Sequence, residues 1–235
     1  MVLKPLEITS LRERAAQAIR AGIITGEIGP GEIYSTPVLA ERLGVSATPV
    51  REAMLDLANE GLVEPVRNRG FRVVPLTEAD LDEIFELRML LEVPTMVRVA
   101  DIVDTVPAAT VSEFRALADE IEKFAKAGDL VQFLDADRKF HVGLIELLGN
   151  RRLAELVGRL RDHSRLYGLR RLDRAALVAS AGEHRGILDA IARGDKKNVK
   201  TLMQQHLGHT RGIWAGRSER EDGAKGGVPV AATAD

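Results

Sequence analysis

Hydrophobic residues recur along the first third of the chain at steps of three and four, the spacing of one buried helix face. Ser10 with Glu13, Thr36 followed by Pro37, and Ser46 are typical helix starts. After Gly61 the pattern changes to alternation, which is typical of short strands. The predicted elements, in order, are helices over 10–25, 36–44 and 46–61 and a β-hairpin over 62–74.

From Thr77 onward the helical spacing returns and no strand pattern is found. Pro94 predicts a kink or break in the first of these helices. The predicted helices cover 77–103, 108–127, 130–148, 150–168, 174–193 and 196–214. The sequence therefore predicts a mainly α protein with three parts. These are a winged helix-turn-helix domain over 1–75, an all-α antiparallel bundle over 76–215 and a disordered tail over 216–235.

Composition and charge change this picture little. The 235 residues are 45% hydrophobic and 29% charged, as in ordinary globular proteins. No apolar run is long enough to cross a membrane, and the first twenty residues lack the pattern of a secretion signal, so a cytoplasmic location is expected. The chain has no cysteine, which excludes disulfides, thiol catalysis and cysteine zinc sites.

A surface for DNA has to arise locally, because the net charge is −2 and the first 75 residues hold nine basic and nine acidic residues. Ser46 is expected to cap the third helix, whose N-terminal N–H groups then face phosphates. Arg51, one turn further, can reach a phosphate or a guanine edge. The hairpin carries arginines at 67, 69 and 72, which suit a phosphate backbone or a minor groove.

Polar residues interrupt three buried faces of the bundle. Asp137 and His141 lie one turn apart on a face made otherwise of leucines, and His184 and His206 lie at the centres of two later faces. One carboxylate and three imidazoles suit Zn²⁺, Ni²⁺, Mn²⁺ or Fe²⁺ better than Ca²⁺ or Mg²⁺. Periodicity alone leaves His163 and His209 as rivals, and each histidine could instead be a hydrogen-bonded core residue.

Arg88 is also predicted to face inward, aligned with Leu81, Ile84 and Leu91. A buried guanidinium needs a carboxylate. Glu92, one turn further, could be that partner. Alternatively, Arg88 binds the carboxylate of a small-molecule effector.

The segments GEIGPGEIY and LAERLGVSATPVREAMLDLANEGLVEPVRNRGFRV resemble the DNA-binding domain of the GntR family of bacterial transcription regulators. The resemblance covers about residues 6–74. It implies DNA contacts from the start of the recognition helix and from the wing, at residues Thr36, Ser46, Thr48, Arg51 and Gly70, to which the wing arginines Arg67 and Arg69 are added. Ala47 departs from the family pattern, in which arginine is common, and this puts a usual base contact in doubt.

Residues 77–214 resemble the FCD ligand-binding domain of the FadR subfamily, through LRMLLE, DRKFHVGLIELLGN, EHRGILDAIARGD and MQQHL. In metal-binding members the ligands fall on Asp137, His141, His184 and His206, which leaves His163 and His209 as core or rim residues. The resemblance implies a divalent ion, with Zn²⁺ as the leading candidate.

Together these features predict a homodimeric regulator, and a repressor by the family's usual direction, that binds a palindromic operator. A small organic acid bound at the metal would alter its DNA affinity. The chain is expected not to be an enzyme. A metal-dependent hydrolase or oxygenase using the Asp/His site is the alternative, and a purely structural metal is a third possibility.

Overall fold

The computed structural model describes residues 10–166 and 174–215. The predicted tail over 216–235 lies outside the described residues, and the predicted domain limits stay predictions. In order, the elements are α1 (Leu11–Thr25), β1 (Ile33–Tyr34), α2 (Thr36–Leu43), α3 (Ala47–Asn59), β2 (Val63–Val66), β3 (Gly70–Val73), α4 (Glu78–Ile102), a 3-10 turn (Val103–Thr105), α5 (Ala108–Ala127), α6 (Leu130–Glu146), α7 (Arg151–Leu166), α8 (Arg174–Ala192) and α9 (Lys196–Ala215).

The N-terminal unit is three helices with a small antiparallel sheet in the order β1-β3-β2. The predicted hairpin is present, with Val66 paired to Gly70 across the turn. A third strand, β1, was missed because it has only two residues, Ile33 and Tyr34, which pair with Arg72 and Phe71. This strand attaches the wing to the segment that leads into α2.

Two predicted helix starts differ in detail. Ser35, not Thr36, is the N-terminal cap of α2, so Thr36 and Pro37 are already helical. Ser46 caps α3 by position, yet its side chain accepts no capping hydrogen bond. The Ser46 hydroxyl is therefore exposed and not engaged by its own helix. Ser10 and Glu13 do form the predicted capping box at α1.

All the described elements of the C-terminal unit are helices, and their limits agree with the predicted ones to within two residues. The predicted end of the 150–168 helix lies outside the described residues. The predicted break at Pro94 was wrong, since α4 continues through it, and the predicted kink stays a prediction. Pro94 is exposed, whereas Val93 and Met96 beside it are buried. Packing on both sides of the proline keeps the helix whole despite the lost hydrogen bond.

Two separate hydrophobic cores support these units. In the N-terminal core, Ile19, Val50 and Leu57 are buried, and in the C-terminal core, Met96 and Phe140. Among the described residues, no helix is both long and apolar enough to cross a membrane. Between the two cores, α1 of the N-terminal unit contacts α6 and α7 of the bundle.

Candidate metal centre and nucleic-acid interface

Three helices bring one carboxylate and three imidazoles to one point inside the bundle. Asp137 and His141 come from consecutive turns of α6, His184 from α8 and His206 from α9. All four are buried, and one ligand atom from each lies within 4.8 Å of every other. The structure thus brings together the four residues that the sequence proposed.

The distances suit a single cation. His184 Nε2 lies 3.2 Å from Asp137 Oδ1 and 3.1 Å from His141 Nε2, and His141 Nε2 lies 3.9 Å from Asp137 Oδ1. A metal with bonds of about 2.1 Å holds its ligand atoms roughly 3 to 3.5 Å apart. The residues therefore fit a divalent ion without large rearrangement.

Hydrogen bonds on the far side of two rings fix their orientation. His184 Nδ1 donates to the carbonyl of Ala181 at 2.9 Å, and His206 Nδ1 donates to Glu183 at 2.8 Å. Because each Nδ1 carries the proton, each Nε2 offers a lone pair to the interior. His141 Nδ1 has no hydrogen-bond partner within the described residues. Nitrogen lone pairs that converge on one buried point are stabilised by a bound cation.

Burial keeps these rings neutral. Desolvation lowers the pKa of His184 to about 4, although its hydrogen bond to Ala181 opposes the shift. Desolvation also lowers the pKa of His206 to about 4, against the opposing effect of Glu183. The pKa of His141 is lowered well below its ordinary value by burial and by the positive charge of Arg161. Neutral imidazole is the form that binds metals.

A layer of buried arginines covers the other side of Asp137. Arg161 donates to Asp137 Oδ2 at 2.6 Å and to Glu92 Oε2 at 2.5 Å, and Arg165 is hydrogen-bonded to the same Asp137 oxygen. Since the arginines engage Oδ2 and His184 approaches Oδ1, the carboxylate can bind a metal through Oδ1 while it is held from behind.

Sequence reasoning missed these two arginines because it chose the wrong face of α7. The face that made His163 a rival ligand is not the buried one, since His163 is only partly buried. The buried face instead carries Val157, Arg161 and Arg165. The spacing of four between Val157, Arg161 and Arg165 could have indicated this buried face. It was not recognised because arginine is ordinarily a surface residue.

Five of the seven predicted DNA-contacting residues line one cleft between the N-terminal ends of α2 and α3 and the wing. Thr36, Thr48, Arg51, Arg69 and Gly70 all line it, together with Ala47. Ser46 and Arg67 are exposed but are not among its lining residues. The cleft thus joins helix N-termini to two arginines, the chemistry that binds phosphates.

The wing is held tightly against the strand before α2. Gly70 has a φ of +125°, and a Cβ at this position would lie 2.2 Å from the carbonyl oxygen of Tyr34. Arg72 donates to Glu64 on the neighbouring strand at 3.1 Å, so its charge is already partly neutralised. Arg67 and Arg69, at the exposed tip, carry the charge of the wing.

Comparison with known proteins decides the family. Residues 11–73 match the model for bacterial regulatory proteins of the gntR family, and residues 83–209 match the FCD domain. An HTH-type transcriptional regulator in an unstable DNA locus of Streptomyces ambofaciens is 33% identical over 80% of this chain and 78% of its own length. The chain belongs to the GntR family and carries an FCD domain.

Two further comparisons agree with this assignment. The HTH-type transcriptional repressor GlaR of Escherichia coli is 27% identical over 80% of this chain and 89% of its own length. The solved structure of McbR from Escherichia coli superposes with a TM-score of 0.74 at 23% identity, over 88% of this chain and 98% of that one. The predicted fold class and the resemblance drawn from the sequence are confirmed.

The family also decides between regulator and enzyme. GntR proteins regulate transcription, and the relatives that match this chain are regulators. The prediction that the chain is not an enzyme is therefore confirmed, and the Asp/His cluster is a candidate metal site of a GntR regulator.

Arg88, predicted to face inward, is buried in the FCD domain beside this cluster. It donates through Nε to Glu92 at 2.6 Å and through Nη1 to Ser164 at 3.2 Å. Its Nη2 has no hydrogen-bond partner in the part of the chain that the structure describes. The expected pair with Glu92 is present, and one N–H₂ group remains for a further acceptor.

The two rival histidines lie outside the four-residue cluster. His209 pairs with Glu183, the same carboxylate that orients His206. His163 lies at the boundary with the DNA-binding unit, where Nε2 is 2.5 Å from the carbonyl oxygen of Glu60. Neither belongs to the set of four candidate ligands, and each has a defined contact of its own.

Proposed function

We propose that this GntR protein is a metal-dependent transcriptional repressor controlled by a small carboxylic acid. The FCD unit binds Zn²⁺, or in its place Ni²⁺, Mn²⁺ or Fe²⁺, and the acid coordinates the metal. The proposal assigns a winged helix-turn-helix domain to residues 1–75, an effector and dimerisation domain to 76–215 and a tail to 216–235. It takes the working form to be a cytoplasmic homodimer on a palindromic operator.

The observation that carries the proposal is the convergence of four ligand atoms within 4.8 Å, from residues Asp137, His141, His184 and His206. Buried polar groups are costly unless they are paired. Three neutral imidazoles and a carboxylate held from behind match the donor preference of zinc and its neighbours in the first transition row. Four protein ligands leave room at a five- or six-coordinate ion for a carboxylate oxygen.

An acid is the favoured ligand because of the charge around the site. Three buried arginines, Arg88, Arg161 and Arg165, share hydrogen bonds with two buried carboxylates, Glu92 and Asp137. A third buried carboxylate, Asp162, lies 3.8 Å from Arg165, so arginines and carboxylates are equal in number. A divalent ion adds positive charge that these carboxylates do not balance. An anionic effector balances that charge, and the remaining N–H₂ of Arg88 is the candidate group to bind it.

DNA binding is assigned to the cleft residues Thr36, Thr48, Arg51, Arg69 and Gly70, with Ser46 and Arg67 at its margin. Backbone N–H groups at the start of α3 and the wing arginines supply phosphate contacts, and Arg51 is the candidate for contact with a phosphate or a guanine edge. Repression, rather than activation, is assigned by analogy with the relative GlaR, which is a repressor.

The test measures zinc affinity and DNA affinity in the same preparations. We expect His184→Ala to lose zinc binding in isothermal titration calorimetry, whereas the matched control His163→Ala keeps it. In a gel-shift with DNA from upstream of the protein's own gene, a panel of carboxylic acids is then added to the zinc-loaded protein. At least one acid is expected to release the DNA from the wild type but not from His184→Ala.

Two outcomes contradict the proposal. If the wild type binds no divalent ion, the metal site is refuted. If it binds zinc, yet no acid changes DNA affinity and His184→Ala loses only thermal stability, the metal is a structural element and the sensing role fails.

A further inference from the structure

One turn of α7, residues 161–165, contacts the candidate metal site on one side and the DNA-binding unit on the other. On its inner side, Arg161 and Arg165 hold Oδ2 of Asp137. On its outer side, His163 reaches the end of α3, the recognition helix. Five consecutive residues of a helix span less than 10 Å along its axis, so both contacts are made by one short rigid segment.

The contact with the recognition helix is close and specific. The residue that ends α3 is Glu60, whose carbonyl accepts the Nε2 hydrogen of His163 at 2.5 Å. Carbonyls at a helix C-terminus lack a donor within the helix, so His163 supplies one from another unit. At the next residue, Gly61, a Cβ would lie 2.8 Å from His163 Cε1. The imidazole is therefore packed against backbone.

Ion pairs surround this contact. Glu60 also pairs with Arg20 of α1. Next to His163, Asp162 accepts from Arg138 of α6 at 3.2 Å and lies 3.8 Å from Arg165. Through Asp162 and Arg138, the turn of α7 that carries His163 is thus linked to the turn of α6 that carries Asp137.

We infer that the 161–165 turn of α7 transmits the state of the metal site to the recognition helix through His163 and Glu60. The inference rests on the proposed metal function. A cation bound at Oδ1 of Asp137 places two positive charges next to the guanidiniums of Arg161 and Arg165, which share that carboxylate. Repulsion between the cation and the two guanidiniums shifts the position of α7. Because the turn is rigid, His163 moves with the arginines. Differential contact in two states is what couples two sites.

The test uses zinc alone as the probe and the recognition helix as the readout. Hydrogen exchange is measured on the full chain for the amides of Glu60, Gly61 and Leu62, which donate to Asp56, Ala58 and Leu57. We expect saturating Zn²⁺ to change their exchange rates in the wild type by at least about fivefold, the lower end of common allosteric coupling. Zinc affinity is measured in parallel by calorimetry.

Three variants separate coupling from folding. His163→Ala removes the donor and is expected to bind zinc as the wild type does, while the zinc-induced change at residues 60–62 falls below about twofold. His163→Gln keeps an N–H donor at similar reach and is expected to restore the change. Arg159→Ala alters an exposed residue of the same helix and is expected to behave as the wild type.

The possible failures are distinguishable. If zinc binds to the wild type through His184 but exchange at 60–62 is unchanged, the coupling is refuted and the metal site stands. If His163→Ala retains the full change, α7 does not act through His163. If zinc does not bind at the four ligands, both the proposed function and this inference fall.

Discussion

Glu92 provides the most stringent test of the buried charge network. Its side chain is fully buried between two guanidiniums, 2.6 Å from Arg88 and 2.5 Å from Arg161. Burial alone raises the pKa of Glu92, but the two arginines outweigh it and hold that pKa below its usual value. Glu92→Gln keeps the shape of the side chain and removes its charge, which leaves two buried guanidiniums without their shared counter-charge.

The expected cost is large. Removing one partner of a buried ion pair destabilises a protein by about 3–5 kcal/mol. The chain offers a matched control in Glu155, which also pairs with an arginine four residues before it, at 2.8 Å. That pair is exposed, at 83% for Arg151 and 49% for Glu155, against 4% and 0% for Arg88 and Glu92. Glu155→Gln is expected to cost about 0.3–0.5 kcal/mol.

Thermal unfolding monitored by circular dichroism measures both variants. At roughly 2–4 °C per kcal/mol for a chain of this size, Glu92→Gln is expected to lower Tm by about 10 °C and Glu155→Gln by no more than about 2 °C. Similar small shifts in the two variants would refute the argument, because they would mean that Glu92 is not needed as a buried counter-charge.

Three further predictions concern the metal site and the DNA surface. Glu183→Gln weakens the hydrogen bond that orients His206 and is expected to lower zinc affinity in calorimetry by about 10–100-fold. Arg51→Ala is expected to reduce the slope of log affinity against log salt in fluorescence anisotropy by about 0.9 if it contacts one phosphate, whereas Arg72→Ala changes it less because Arg72 is already paired. Without metal, the folded-state pKa values of His184 and His206, about 4, lie below their ordinary value of 6.5. The unfolded state therefore binds more protons between these values, so in urea unfolding at several pH values stability is full above pH 6.5 and falls as pH drops towards 4.

Each of these has a contradicting result. Unchanged zinc affinity in Glu183→Gln would mean that His206 needs no carboxylate behind it. Equal salt slopes for the two arginine variants would place the phosphate contacts elsewhere. Constant urea stability of the metal-free protein from pH 7 to pH 4 would show that the buried histidines do not stay neutral.

Much of the fold could be predicted from the sequence because its signals are local. The capping box at Ser10 predicted the start of α1, and the spacing of three and four residues predicted the described helix limits of the C-terminal unit to within two residues. Strand β1 could not be predicted, since two residues have no detectable period and the strand exists only through its pairing with β3. The break expected at Pro94 was wrong because the packing that keeps α4 continuous comes from other parts of the fold.

The clustering of the four candidate ligands could be predicted only in part from the sequence. Asp137 and His141 stand out because polar residues on an apolar face are costly. The arginines behind them did not stand out, because Arg161 and Arg165 are justified only by carboxylates on other helices. His163 could not be assigned from spacing either, since its partner is a backbone carbonyl 103 residues away in sequence.

The close approach of Gly70 to Tyr34 has a consequence for attempts to redirect this protein to new DNA sequences. Libraries that vary the wing can sample residue 67 and residue 69 freely, since both side chains are exposed. Residue 68 has a φ of +58° and is best limited to asparagine and glycine. Position 70 has to stay glycine, because any side chain there collides with the backbone of Tyr34 and separates the wing from strand β1, which leads into α2.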